Sequence, residues 1–138
     1  MKLLGIDYGH RRIGLATTDL GGTIASPLFT VENRGERKNI EALCKIITDN
    51  KIQGIMCGIP QDMGGRDTSM SVIIREFCEK LSHASGLEVV YVNERYSSLD
   101  AEEHIRKNLG IKNPIKIREM VDKMVACMLL QEYVNNKS

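Results

Sequence analysis

The sequence has no tryptophan and only six aromatic residues, four Tyr and two Phe. So few rings argue against base stacking as the main way of gripping a nucleic-acid strand. No charge of one sign dominates either. Nineteen Lys and Arg stand against 18 Asp and Glu, a net charge of +1. The total therefore announces no polyanionic partner, although a local basic stripe counts for more than the sum. The longest purely apolar run, Met124–Leu130, falls far short of the ~20 residues of a membrane span. Asp7 interrupts the opening stretch before it could serve as a secretory signal. The four cysteines, Cys44, Cys57, Cys78 and Cys127, form no Cys-x-x-Cys pair and sit in apolar surroundings. They are expected as small buried hydrophobes in a reducing compartment, not as disulfides or zinc ligands. These absences predict a soluble cytoplasmic protein with no membrane partner. Its 138 residues fit one domain, 1–138, able to bury roughly 70% of its unfolded surface.

The patterning predicts the order β-β-β-α-β-α-β-α-α. Lys2–Asp7 is a short apolar run, and Arg12–Thr18 carries Ile13, Leu15 and Ala16. Gly9 lies in the tight connection between them, where it can supply a positive φ. After Gly21–Gly22, Thr23–Thr30 reads as a third strand, with Pro27 marking an edge or a bend. Ile40, Leu43, Ile46 and Ile47 then take up helical spacing, which ends near Asn50. Gly54–Gly58 and Val89–Val92 are unbroken short runs, as in strands buried on both faces. Between them Asp67 is the expected cap of a helix with Met70, Ile73, Ile74, Phe77 and Leu81 on its apolar face, ended by Gly86. Ser97 or Ser98 caps a shorter helix, and Ile117 to Leu129 mark a long final one. Three strands joined by short turns make an antiparallel meander, and the β-α-β units that follow are parallel. The fold class is therefore α/β, with a mixed five-stranded sheet and helices on both faces.

This topology lets three acids from distant parts of the chain meet. Asp7 ends the first strand, Glu94 follows the fifth, and Asp122 lies on the last helix. Each has an ordinary structural role open to it: a turn cap for Asp7, a pair with Arg95 for Glu94, and a bridge to Lys123 or Arg118 for Asp122. Ala126, one turn after Asp122, is small enough to let that helix face come close to another element. Converging carboxylates repel, so each titrates upward or recruits a cation. All-oxygen ligands favour Mg²⁺ or Mn²⁺ over zinc, and two such ions ~4 Å apart can drive phosphodiester hydrolysis. None of the histidines, His10, His83 and His104, has metal-ligand spacing, and His10 alone flanks the Asp7 turn. From His104 to Lys123 six basic residues face two acids. A solvated charged face and a phosphate-binding surface explain that run about equally.

Several of these segments together resemble the YqgF (RuvX) family. They are Gly5-Ile-Asp-Tyr-Gly9, Arg12-Ile-Gly-Leu-Ala16, Gly58-Ile-Pro60 with Met63-Gly-Gly65, Asn93-Glu-Arg95, and Val121-Asp-Lys-Met-Val-Ala126 running on to Leu130-Gln131. They occur in the family's order across essentially the whole chain. The resemblance implies a ribonuclease H-like fold and a metal-dependent nuclease. Its substrate would be the 5′ end of precursor 16S ribosomal RNA, or else Holliday junctions. It implies catalytic and metal-binding roles for Asp7, Glu94 and Asp122, with Mg²⁺ or Mn²⁺ as cofactor. The substrate-binding residues expected alongside are Arg12, Arg66, Arg95, Lys116 and Arg118. The partners expected are precursor rRNA or branched DNA, ribosomal precursor particles, and at most a weak second copy of the chain.

The chain departs from the family in two places. Asn93-Glu94-Arg95 and Ser97-Ser98 replace Asp-Glu-Arg and a pair of threonines, which removes a charge beside Glu94. Met63-Gly-Gly-Arg66 replaces Met-Asp-Gly-Ser, which exchanges an acid for a glycine and adds a cation. Two other classes stay open at this point. A nucleotide-dependent phosphotransferase of the actin–hexokinase type shares the core and the Asp-x-Gly hairpin, but ordinarily closes two domains over its nucleotide. A non-catalytic assembly module would keep the fold alone.

Overall fold

Strand periodicity decides which side chains enter which half of the molecule. The computed structural model describes residues 1–61, 63–94, 96 and 98–137. Its elements are β1 (Leu3–Tyr8), β2 (Arg12–Thr18), β3 (Ala25–Glu32), α1 (Glu36–Asp49), β4 (Gly54–Ile59), α2 (Ser69–Ser85), β5 (Val89–Asn93), α3 (Ser98–Asn108) and α4 (Pro114–Asn136). The sheet order is β3-β2-β1-β4-β5. β1, β2 and β3 form the antiparallel meander, and β4 runs parallel to both β1 and β5. The α/β class, the mixed five-stranded sheet and the helices on both faces are as the sequence predicts.

Alternate residues of the strands feed two separate cores. On one face Leu4, Ile6, Ile13 and Leu15 pack with Leu43 and Ile47 of α1 and with Ile74, Phe77 and Leu81 of α2. On the other, Leu3, Ala16 and Met56 pack with Ala101 and Ile105 of α3 and with α4 from Ile117 to Leu130. Because Ile6 belongs to the first core, the next residue, Asp7, falls on the α4 face.

α4 lies close on the sheet because the strands are glycine where it crosses. A Cβ on Gly14 would overlap the Asp122 carbonyl, and one on Gly5 would stand 3.3 Å from the Ala126 carbonyl oxygen. Ala126 is fully buried, so both surfaces are small where they meet. α4 starts where Asn113 accepts from the Ile115 and Lys116 amides, ahead of Pro114. Pro in the first helical turn gives up no hydrogen bond.

Three local expectations need correction. Thr68, not Asp67, caps α2. Thr68 Oγ1 accepts from the Ser71 amide, while Ser71 Oγ accepts from the Thr68 amide, a reciprocal box. Asp67 instead pairs with Arg75 at 2.8 Å and accepts from Gln61. Ile73 stays 47% exposed, because the buried stripe of α2 runs through Ile74, Phe77, Cys78 and Leu81. Gly9 has no positive φ. Its place is set by crowding, since a Cβ there would stand 2.6 Å from the Arg12 carbonyl oxygen. The alternative cap Ser97 lies outside the described residues. All four cysteines are free, with Cys57 and Cys78 buried and the other two half-buried.

Candidate active site

β1, β4 and β5 are parallel, so their carboxyl ends share one edge of the sheet, where open α/β folds place their chemistry. Asp7 stands one residue before the end of β1, and its cross-strand partner in β2 is Gly14. Glu94 directly follows β5, and its amide donates to the Ile59 carbonyl at the end of β4, at 2.9 Å. Gly58 lies between the two acids. A Cβ on it would stand 2.8 Å from Leu129 Cδ1 of α4 and 4.0 Å from the Glu94 Cβ, so the glycine makes room for α4 beside the acids.

The Asp7 and Glu94 carboxyls are hydrogen-bonded to each other. Burial is the largest influence on Asp7, followed by the negative charge of Glu94, the shared hydrogen bond and the charge of Asp122. Together they push its pKa from 3.8 to about 8. Burial also raises Glu94, and the hydrogen bond from Asp7 opposes the rise. Burial thus raises both carboxyls, repulsion lifts Asp7 further, and the two titrate as one coupled pair.

Asp122 is close enough for Asp7 to feel its charge, but its own partner is elsewhere. Arg12 Nε donates to Asp122 Oδ2 at 2.8 Å. Neither Lys123 nor Arg118 takes that place. Among the described residues no three carboxylate, imidazole or thiol groups are gathered tightly enough to enclose an ion. The structure therefore brings two of the three expected acids into contact and ties the third to Arg12 beside them.

The expected phosphate-binding residues are less concentrated. Arg12 and Arg118 line one cleft with Asp122 and Lys123. Lys116 is exposed in the first turn of α4, and Arg66 is exposed in the loop between β4 and α2. Arg95 lies outside the described residues. His10 is exposed in the β1–β2 turn. The Arg12–Asp122 pair spans 110 positions and is not visible in the spacing. The one signal for it is Gly14, since a glycine inside a strand often marks a close backbone approach.

The family model RuvX, described as "Holliday junction resolvase", matches residues 1–136. Two relatives named "Putative pre-16S rRNA nuclease" are each 35% identical over 137 residues. That from Endomicrobium trichonymphae is matched over 99% of this chain and 97% of its own length. That from Fusobacterium nucleatum is matched over 99% and 98%. Among solved structures, Thermus thermophilus RuvC in complex with a Holliday junction substrate superposes with a TM-score of 0.64 at 11% identity. The match covers 99% of this chain and 95% of that one. The fowlpox virus Holliday junction resolvase gives 0.64 at 13%, covering 99% of each. These likenesses show the fold, a RuvC-like, ribonuclease H-like domain. No helix among the described residues is long and apolar enough to cross a membrane. With sequence, sheet order and acidic edge in agreement, this chain belongs to the RuvX family of nucleases.

Proposed function

We propose that residues 1–138 form a cytoplasmic endonuclease domain that hydrolyses phosphodiesters in structured nucleic acid, at the 5′ end of precursor 16S ribosomal RNA. The observation that carries the reading is the Asp7–Glu94 pair. Two carboxyls touch at the carboxyl edge of the sheet, where burial and the neighbouring negative charge of Glu94 push the pKa of Asp7 up to about 8. A pair of close carboxyls that offers only oxygen donors fits Mg²⁺ or Mn²⁺. Asp7, Glu94 and Asp122 would hold it. When bound, such an ion supplies a Lewis acid and an activated water for hydrolysis of the phosphodiester.

The chain's own residues do the rest. β1 fixes the Asp7 backbone, and Asp7 must release its proton for the pair to bind a cation. Arg12, Arg66, Arg95, Lys116 and Arg118 hold substrate phosphates. A phosphate competes with Asp122 for the Arg12 guanidinium, so substrate arrival frees Asp122 to turn toward Asp7. The names borne by the 35%-identical relatives favour ribosomal RNA over a DNA junction. Ribosomal precursor particles would present that RNA to a monomer or a weak homodimer.

The test compares a precursor 16S transcript with a four-way DNA junction in Mg²⁺, in Mn²⁺ and in EDTA. Metal-dependent cleavage of the transcript, at least ~100-fold slower in Asp7→Asn (about 2.7 kcal/mol on the barrier), supports the reading. Cleavage of the junction alone would transfer the activity to DNA. A wild-type protein that cuts neither substrate with either metal would be a non-catalytic assembly factor.

A further inference from the structure

β3 contains an irregularity beside the acidic edge. Gly14 pairs with Thr30 and Ala16 with Pro27, so Leu15 alone opposes Leu28 and Phe29. Such a bulge redirects the side chains around it and is common next to active sites. Two features follow it. Phe29 is a large apolar residue left 49% exposed. Thr30 Oγ1 is buried and, among the described residues, has no hydrogen-bond partner. An unpaired buried hydroxyl destabilises a fold, and native chains that keep one call for an explanation, such as a partner supplied from outside.

Both residues line one cleft of about 450 Å³ between β3 and α4, together with Arg12, Asp122, Arg118 and Lys123. Its volume is in the range of small-ligand sites. With Arg12 and Asp122 paired, Arg118 and Lys123 face a single acid, Glu119. Asp122 connects the cleft to the Asp7–Glu94 pair, since it lines the cleft with Arg12 and its charge reaches Asp7.

We propose that this cleft is a subsite for one unpaired nucleotide next to the scissile phosphate. Arg118, Lys123 and the Thr30 hydroxyl take the nucleotide's phosphate, and the Phe29 ring stacks on its base. A turn about χ1 exchanges the Thr30 methyl and hydroxyl, bringing Oγ1 into the cleft to donate to a phosphate oxygen. One ring serves one base, in keeping with a chain so poor in aromatics. The subsite rests on the nuclease reading and specifies its substrate: the strand is single beside the cut.

The test measures binding by the full chain, in EDTA, of a fluorescent single-stranded RNA 10-mer and a blunt duplex of the same sequence. Phe29→Ala is expected to weaken the single strand by roughly fivefold or more, as loss of one stacked base does, and to leave the duplex unchanged. Thr30→Val, which keeps the shape and removes the hydroxyl, is expected to weaken the single strand by roughly fivefold while raising the melting temperature of the free protein. Arg118→Ala with Lys123→Ala is expected to flatten the log–log salt slope by ~1–2. Wild-type affinity for the single strand in both Phe29→Ala and Thr30→Val overturns the subsite, and so does an equal loss for strand and duplex. If the wild type still cuts with metal in that case, the nuclease reading stands and the subsite alone falls. If these variants lose strand binding while the wild type never cuts, the cleft binds an unpaired nucleotide, but the nuclease reading falls and with it the placement beside a scissile phosphate.

Discussion

Replacing Asp7 with asparagine separates the charge of this residue from its shape. In the metal-free protein Asp7 keeps its proton to about pH 8, against 3.8 for a free carboxyl. The unfolded chain has already released that proton at neutral pH. Because the folded-state value is raised, the stability is whole below about pH 4 and falls as pH rises toward 8. At about 1.4 kcal/mol per pH unit, the loss from this one group reaches ~4 kcal/mol at pH 7. The asparagine amide can still donate to Glu94 and has no proton to hold, so the variant escapes that loss. Burial continues to oppose ionisation of Glu94, and this leaves a net gain of about 1–3 kcal/mol at pH 7.5, or roughly 4 °C in melting temperature for each kcal/mol in a chain of this size. Thermal unfolding in EDTA at pH 4.5, 6 and 7.5 measures it. The variant's advantage should be small at pH 4.5 and widen steadily to pH 7.5. An offset independent of pH, or a variant less stable at pH 7.5, would falsify the account of a buried, mutually repelling carboxyl pair.

The remaining predictions concern what surrounds the pair. Arg12→Ala removes a guanidinium that is 52% exposed from an Asp122 side chain that is 26% exposed. It should change stability by less than ~1 kcal/mol in urea, and flatten the salt dependence of nucleic-acid binding by ~1; an unchanged slope would make the pair purely structural. Gly14→Ala puts a methyl into the Asp122 backbone, which no rotamer can relieve. A loss of at least ~2 kcal/mol in denaturant unfolding is expected, and a wild-type midpoint would contradict the close approach of α4. Thr68→Ala breaks the reciprocal cap of α2 and should cost about 1 kcal/mol, whereas Asp67→Ala, losing only an exposed pair with Arg75, should cost less.

The helices and strands were legible because they depend on local spacing. Leu43 and Ile47 on α1, the unbroken run of β4, and the stripe from Ile117 to Leu130 each repeat at the period of the element that buries them. The parallel pairing of β1, β4 and β5 follows from helices inserted between them, and so does the shared edge at which Asp7 and Glu94 meet. Finer choices were not legible where neighbours compete for one local role. Thr68 and Asp67 can both cap a helix, and the contest is decided by Ser71, which completes the box, and by Arg75, which draws Asp67 away.

Sequence alone thus determined the order of elements, the small Ala126 face of the last helix, and which acids the topology could bring to one edge. Tertiary structure alone decided their charge state and partners. A carboxyl near 3.8 in water becomes one near 8 only when packing removes its solvent and sets Glu94 against it, and neither influence is a property of residue 7 itself. Asp122 turned to Arg12, and not to its helical neighbours, because Gly14 brings the backbones of β2 and α4 into contact. That distance is set by two surfaces meeting, and no single segment of the chain contains it.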